Sequence, residues 1–176
     1  MSKVKITAPT TIYELSSLRA GDRVEISGTI LTGRDAAHKR LCELIDAKKS
    51  LPVDLKNQII YFVGPSPAKP NKIIGSAGPT TSYRMDAYSP MLMEKGGLLG
   101  MIGKGNRNKG VVDSMKKCGA VYFAATGGAA ALIARSIKKT TVLCYEDLGT
   151  EAIRELEVVD FPLIVAIDSL GNNLYE

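Results

Sequence analysis

Apolar positions along the chain fall into short runs cut by glycine, proline and charge, and their spacing switches repeatedly between two and three-to-four. In DRVEISGTIL, residues 22–31, Val24, Ile26 and later Ile30 mark a strand that follows the Gly21-Asp22 turn. The next stretch, GRDAAHKRLCELIDAKKS, sets Ala37, Leu41, Leu44 and Ile45 at helical spacing, with Asp35 as N-cap and Pro52 closing the segment. IIYFVG (59–64) and KIIGSAG (72–78) predict buried strands, separated by a PSPAKPN loop. Residues 80–95 read as a turn followed by a helix, because Pro90 interrupts the pattern. GLLGMIGKG predicts a strand entering a glycine-rich loop, then a helix through Val111, Val112 and Met115 to Gly119. AVYFAATGG is another strand ending in glycines and AAALIARSIKK the helix it feeds. TTVLCYE and PLIVAIDS are the late strands, with LGNN turning back toward a last short one. Strands and helices alternate over short connections, which predicts an α/β domain with a mixed sheet.

Composition narrows what this domain can do. At 176 residues and 45% hydrophobic, the chain supplies one sizeable core and hardly two, so residues 1–176 read as one domain. No apolar run has the length of a bilayer span, and the opening MSKVKITAPT lacks a signal peptide's apolar core, so a cytoplasmic protein is expected. Cys42, Cys118 and Cys144 are odd in number and far apart, which predicts neither a disulfide framework nor a metal site within the chain. The net charge of +5 is scattered, and with 6% aromatics and no Trp it suits a small anion better than nucleic acid.

Three places share one feature: a strand ends, glycine gives room, a cation appears and a helix begins. They are Gly33-Arg34-Asp35, GPTTSYRMD (78–86) and GKGNR (103–107). A helix N-terminus attracts anions, so a cation there is mildly unfavourable unless an anion faces it. Arg34, Arg84 and Lys104 take these places, and either Asp35 and Asp86 or a bound anion compensates them. Singly, each arginine beside an aspartate is ordinary surface. If the three converge, they hold both ends of a dicarboxylate, the arginines with a bidentate fork. Phosphate fits less well: Leu98 stands where a P-loop needs its first glycine, and Gly105 where it needs Ser or Thr. Of the adjacent Thr80 and Thr81, one reads as a helix cap; the other, if the segment is helical, shares a face with Arg84. His38, the one histidine, reads as a packing or capping residue before an acid or base, since no carboxylate partner is evident.

SGTILTGRDAAHKRL, GPTTSYRMD, GMIGKGNR and YFAATGGAAAL, in this order, closely resemble the C-terminal domain of class I fumarate hydratases. In two-gene versions of that family the domain is a separate β subunit. The resemblance implies a swivelling-type β/β/α domain and an enzyme interconverting fumarate and L-malate. It implies a 4Fe–4S cluster whose cysteines belong to the partner α subunit, and no activity of this chain alone. Carried over by position, Arg34, Arg84 and Lys104 contact the dicarboxylate and Thr80 takes part in proton transfer. Further dimerisation of the αβ unit is expected, with no nucleic acid or membrane as partner. L(+)-tartrate dehydratase β subunits share the plan, and their substrate, also a four-carbon diacid, suits the same clamp. A non-catalytic anion-binding module and a purely structural subunit are the readings from other classes.

Overall fold

A computed structural model describes residues 3–125 and 130–176. The elements run β1 (Val4–Ala8), α1 (Ile12–Ser16), β2 (Arg23–Thr32), α2 (Asp35–Asp46), β3 (Ile59–Tyr61), a 3-10 turn (Ser82–Met85) and α3 (Ser89–Glu94). Then come β4 (Gly100–Gly103), α4 (Lys109–Cys118), β5 (Val121–Ala124), α5 (Ala130–Ser136), β6 (Ile137–Cys144), a second 3-10 segment (Glu146–Glu151) and β7 (Ile153–Ile167).

β1 to β5 pair in parallel, each with its neighbour in sequence, while β7 runs antiparallel to β2, β5 and β6. Two long strands make this possible. One edge of β2 takes β1 along Val24 to Gly28 and then β3 at Leu31 and Thr32; the other edge takes β7. β7 in turn takes β5 near its C-terminal end, so β2, β3, β4, β5 and β7 close into a five-stranded ring. The mixed sheet matches the pattern reading; its closure adds that the ring strands have no open edge between them.

Alternation along the strands divides the interior in two. Ile59, Tyr61, Ile102, Val121 and Phe123 join Ile26, Ile30, Leu156 and Phe161 in a core that fills the ring. Ile60, Phe62, Met101 and Tyr122 face the other way, into a core with Leu41 of α2, Leu92 of α3 and Val111 and Met115 of α4. Burial on both faces is why these strands read as unbroken apolar runs. Because β2 to β5 are parallel, the segments that follow β2, β3 and β4 all emerge at the same end of the sheet, which is where α/β sheets carry their ligands.

Several expected elements differ. KIIGSAG forms no strand: Pro65, Pro67 and Pro70 beside it supply no ladder donors, and the segment folds back on the proline stretch instead. There Ser66 N–H donates to the Ser76 carbonyl at 3.0 Å, and Ser76 N–H to Ser66 Oγ at 2.7 Å. The expected helix 129–139 ends at Ser136, and Ile137 already pairs with Val158 of β7. No glycine or proline marks that change, and the β-branched Ile137, Thr140, Thr141 and Val142 favour the strand. The strand expected after LGNN is reduced to one bridge, Ile167 with Asn173. Buried Asp168 holds that turn instead, accepting from the Leu170 and Asn172 N–H groups at 3.0 Å each. Gly127 and Gly128, expected to end the β5 segment, lie outside the described residues.

Gly28 is where β2 leaves β1 and shifts register against β7. Its φ is +120°, and a Cβ there would stand 2.1 Å from the Ala8 carbonyl oxygen. Gly28→Ala is therefore expected to destabilise the fold by roughly 2–4 kcal/mol, combining backbone strain with a backbone clash. A urea titration reads this as a lower midpoint at unchanged slope; an unaltered midpoint would contradict the close approach.

Candidate functional site

The segments that emerge together after β2, β3 and β4 carry all four candidate residues. Arg34 follows β2 and is the N-cap of α2, with extended φ −125° and ψ −162° and no side-chain cap hydrogen bond. Asp35, expected as the cap, is instead the first helical residue. The Arg34 side chain lies over Gly64, just beyond β3: a Cβ on Gly64 would sit 2.7 Å from Arg34 Cδ and 2.9 Å from Nη1. A Cβ at 64 would therefore displace the Arg34 side chain from this position.

Residues 80–82 continue the ladder where β3 and β4 stop. Thr80 N–H donates to the Phe62 carbonyl at 2.7 Å, Thr81 bridges Lys104 in parallel, and Ser82 N–H donates to the Lys104 carbonyl at 2.9 Å. Gly103 permits this approach, since a Cβ there would fall 1.9 Å from Ser82 Oγ. The helical turn begins only at Ser82, and Thr81 makes no side-chain cap bond. Thr80 therefore reaches the site by strand addition and not by sharing a helix face with Arg84, which corrects the pattern reading. Its hydroxyl has no hydrogen-bond partner among the described residues.

The carboxylates pair crosswise. Asp35 does not compensate Arg34; its Oδ2 accepts from Arg84 Nε at 3.0 Å and lies 2.9 Å from Arg84 Nη2. Asp86 does not compensate Arg84; it accepts from Arg107 Nε at 2.7 Å through Oδ1 and from the Asn108 N–H at 2.9 Å through Oδ2. Only Arg34 stands at a helix N-terminus. Arg84 ends a 3-10 turn, and Lys104 lies well before Asn108, the cap of α4, so the helix-end argument holds for one cation of three. Among the described residues, Arg34 and Lys104 make no ion pair. The structure brings Arg34 and Arg84 to the two sides of Asp35, and Thr80 next to Lys104 through Thr81.

Pattern reasoning missed Arg107. Its side chain is fully buried, held between the rings of Phe62 and Tyr122 at 5.2 and 5.0 Å, with Nη2 donating to Ser89 Oγ at 2.7 Å. Burial pulls the guanidinium pKa below its ordinary value, and the Asp86 carboxylate opposes that. Tyr122 completes the frame, its hydroxyl donating to the Gly105 carbonyl at 2.7 Å and lying 2.7 Å from Ser82 Oγ. The loops carrying Ser82, Asp86 and Gly105 are thereby fixed to one another.

His38, on the first turn of α2, is fully buried. It packs edge-on to Phe62 at 5.3 Å and lies 6.2 Å from the ring of Tyr88. Burial, aided slightly by Arg107, pushes its pKa down to about 4 against the Arg34 carbonyl and Asp35, so the ring is neutral near pH 7. Enclosed in this way, the ring presents no surface to a ligand.

Among the described residues no group of three His, Cys, Asp or Glu side chains is placed to hold a metal ion, and no helix is long and apolar enough to cross a membrane. The three cysteines are free, and burial raises each thiol pKa, Cys42 to about 11. Cys42, Cys118 and Cys144 belong to no cluster of metal-ligating side chains among the described residues.

Arg107→Met fills the space of the guanidinium but leaves Asp86 uncompensated, and it is expected to cost roughly 3–5 kcal/mol of stability. Adding Asp86→Asn removes the stranded charge and should restore part of the loss, read as urea midpoints. Equal midpoints for the single and double variants would show that the charge pair is not what holds these loops.

A family model described as Fumarase C-terminus matches residues 1–176. The chain is 42% identical over 166 residues to "Fumarate hydratase class I, anaerobic" of Escherichia coli strain K12, covering 94% of this chain and 30% of that protein. It is 40% identical over 163 residues to "Fumarate hydratase 2" of Leishmania major, covering 92% of this chain and 29% of the relative. It is also 41% identical over 171 residues to "Putative L(+)-tartrate dehydratase subunit beta" of Methanocaldococcus jannaschii, covering 94% of this chain and 88% of that protein. The chain thus spans about 30% of the length of the E. coli and L. major fumarate hydratases. By the match over its whole length, the chain belongs to the Fumarase C-terminus family, whose relatives include class I fumarate hydratases and a tartrate dehydratase β subunit.

Proposed function

We propose that this chain is the β subunit of a heteromeric class I hydro-lyase that interconverts fumarate and L-malate, a reaction of the tricarboxylic acid cycle. The observation that supports the reading is that the segments bearing Arg34, Arg84, Lys104 and Thr80 follow the parallel strands β2, β3 and β4 at one end of the sheet, with Arg34 and Lys104 making no ion pair among the described residues. The relative with "subunit beta" in its name, which this chain covers over 88% of its length, supports the division into subunits. The 4Fe–4S cluster then belongs to the α subunit, since the cysteines here do not suit it. The αβ unit dimerises further in this reading.

In this role the three cations hold the two carboxylates of the diacid. Arg84 is steadied by Asp35, so its remaining N–H groups keep a fixed direction toward the substrate. When malate loses its proton from the carbon beside one carboxylate, negative charge spreads onto that carboxylate. Preorganised guanidinium donors stabilise this charge more than the ground state, which is how they accelerate the step. Thr80 presents a hydroxyl at the same strand end to carry the proton, and the base that activates it comes from the partner, because a threonine hydroxyl alone is a weak base. L(+)-tartrate is the second substrate to consider, on the likeness to the tartrate dehydratase β subunit.

Co-expression with a cluster-bearing α subunit, followed by turnover assays on fumarate, L-malate and L(+)-tartrate, tests the proposal. The complex is expected to be active on fumarate and malate, and this chain alone inactive. Arg34→Ala, Arg84→Ala and Lys104→Ala are each expected to lower kcat/KM by roughly 10²–10³. Turnover of tartrate alone would move the assignment to the second substrate. Fumarate binding by the chain with no productive partner would make it an anion-binding module.

A further inference from the structure

His38 is placed unlike a passive core residue. An N-cap residue ordinarily secures its turn with its own side chain, and Arg34 does not. The Arg34 carbonyl instead accepts the His38 backbone N–H at 3.0 Å and lies 2.7 Å from His38 Nδ1. A carbonyl has no proton to give, so Nδ1 carries the hydrogen and donates it. Two bonds from one residue then fix the peptide plane that follows Arg34 and, with it, the direction in which the arginine leaves the backbone. The ring that does this is wedged against Phe62, while the Arg34 side chain crosses Gly64 two residues further along the same strand end. One segment thus anchors both the histidine and the arginine.

We propose that His38 is a positioning residue for Arg34, acting through its Nδ1–H bond to the Arg34 carbonyl. This rests on the reading of Arg34 as a substrate-binding cation. Arg34 Nε, His38 Nε2 and Asp35 Oδ1 are all buried and without a hydrogen-bond partner among the described residues, so the exchange of the Arg34 Nε–H reports directly on how firmly that arginine is held.

Two substitutions separate positioning from packing. His38→Asn keeps a donor near the Nδ1 place but loses ring volume; His38→Leu keeps much of the volume and loses both nitrogens. Positioning predicts that, in the complex, His38→Leu raises KM for malate at least about tenfold with a smaller change in kcat, and that His38→Asn recovers most of it. A packing role predicts the reverse order, and that order would overturn the proposal. The second measurement needs no activity. Nitrogen-15 NMR of the full chain at pH 7 is expected to show a neutral ring protonated at Nδ1, and an Arg34 Nε–H that exchanges slowly in the wild type and rapidly in His38→Leu. A ring protonated at Nε2, or equal exchange in both proteins, would overturn it even if fumarate turnover is found. An inactive wild-type complex with the expected NMR result would count against the substrate reading and leave the His38–Arg34 linkage standing.

Discussion

Arg107 carries its charge into the interior, where its guanidinium is fully buried and sandwiched between two aromatic rings. Such a charge is tolerable only with its partners in place, and each partner comes from a different loop or strand. Asp86 follows the 3-10 turn, Ser89 opens α3, Phe62 ends the β3 run and Tyr122 lies in β5. Satisfying one cation therefore fixes four segments relative to one another. Asp86 spends its second oxygen on the Asn108 N–H at the mouth of α4, which adds that helix to the assembly. The geometry of the surface cations follows from this interior one.

On that frame the parallel strands do the gathering. Segments far apart in sequence reach one end of the sheet because β2, β3 and β4 point the same way. Gly64 and Gly103 allow the closest approaches, one to the Arg34 side chain and one to Ser82. Closure of the ring by β7 keeps the strands from shearing past one another, so the relative height of Arg34 and Lys104 is set by sheet register and not by loop chemistry. Arg84, with its side chain 42% exposed, and Lys104 stay near solvent, while Arg34 is half-buried.

Much of this was legible in the residues. Alternation gave β2, helical spacing gave α2 and α4, and α4 ends where expected, at Gly119, which caps it in the left-handed conformation. The turn followed by a helix expected over 80–95 is present, with Pro90 in the first turn of α3. The failures have physical causes. The α5–β6 junction carries no glycine or proline, so only the pairing with β7 decides where helix becomes strand. KIIGSAG is apolar enough for a strand, but a ladder needs a neighbour, and the flanking prolines deny it one. Asp35 and Asp86 each stand near an arginine in sequence and bond to a distant one, because sequence proximity says nothing about which loops the sheet brings together. Arg107 was invisible for the same reason. Composition counts it with the solvated cations, and only the tertiary structure reveals that it is enclosed.

The central claim is that Arg34, Arg84 and Lys104 serve one small diacid. The most direct measurement is a crystal structure of this chain with its α subunit and a bound four-carbon dicarboxylate. The account predicts both carboxylates within hydrogen-bond distance of these three side chains, with the Thr80 hydroxyl beside the carbon between them. A diacid bound elsewhere, with the three cations facing solvent or the partner's carboxylates, would contradict it.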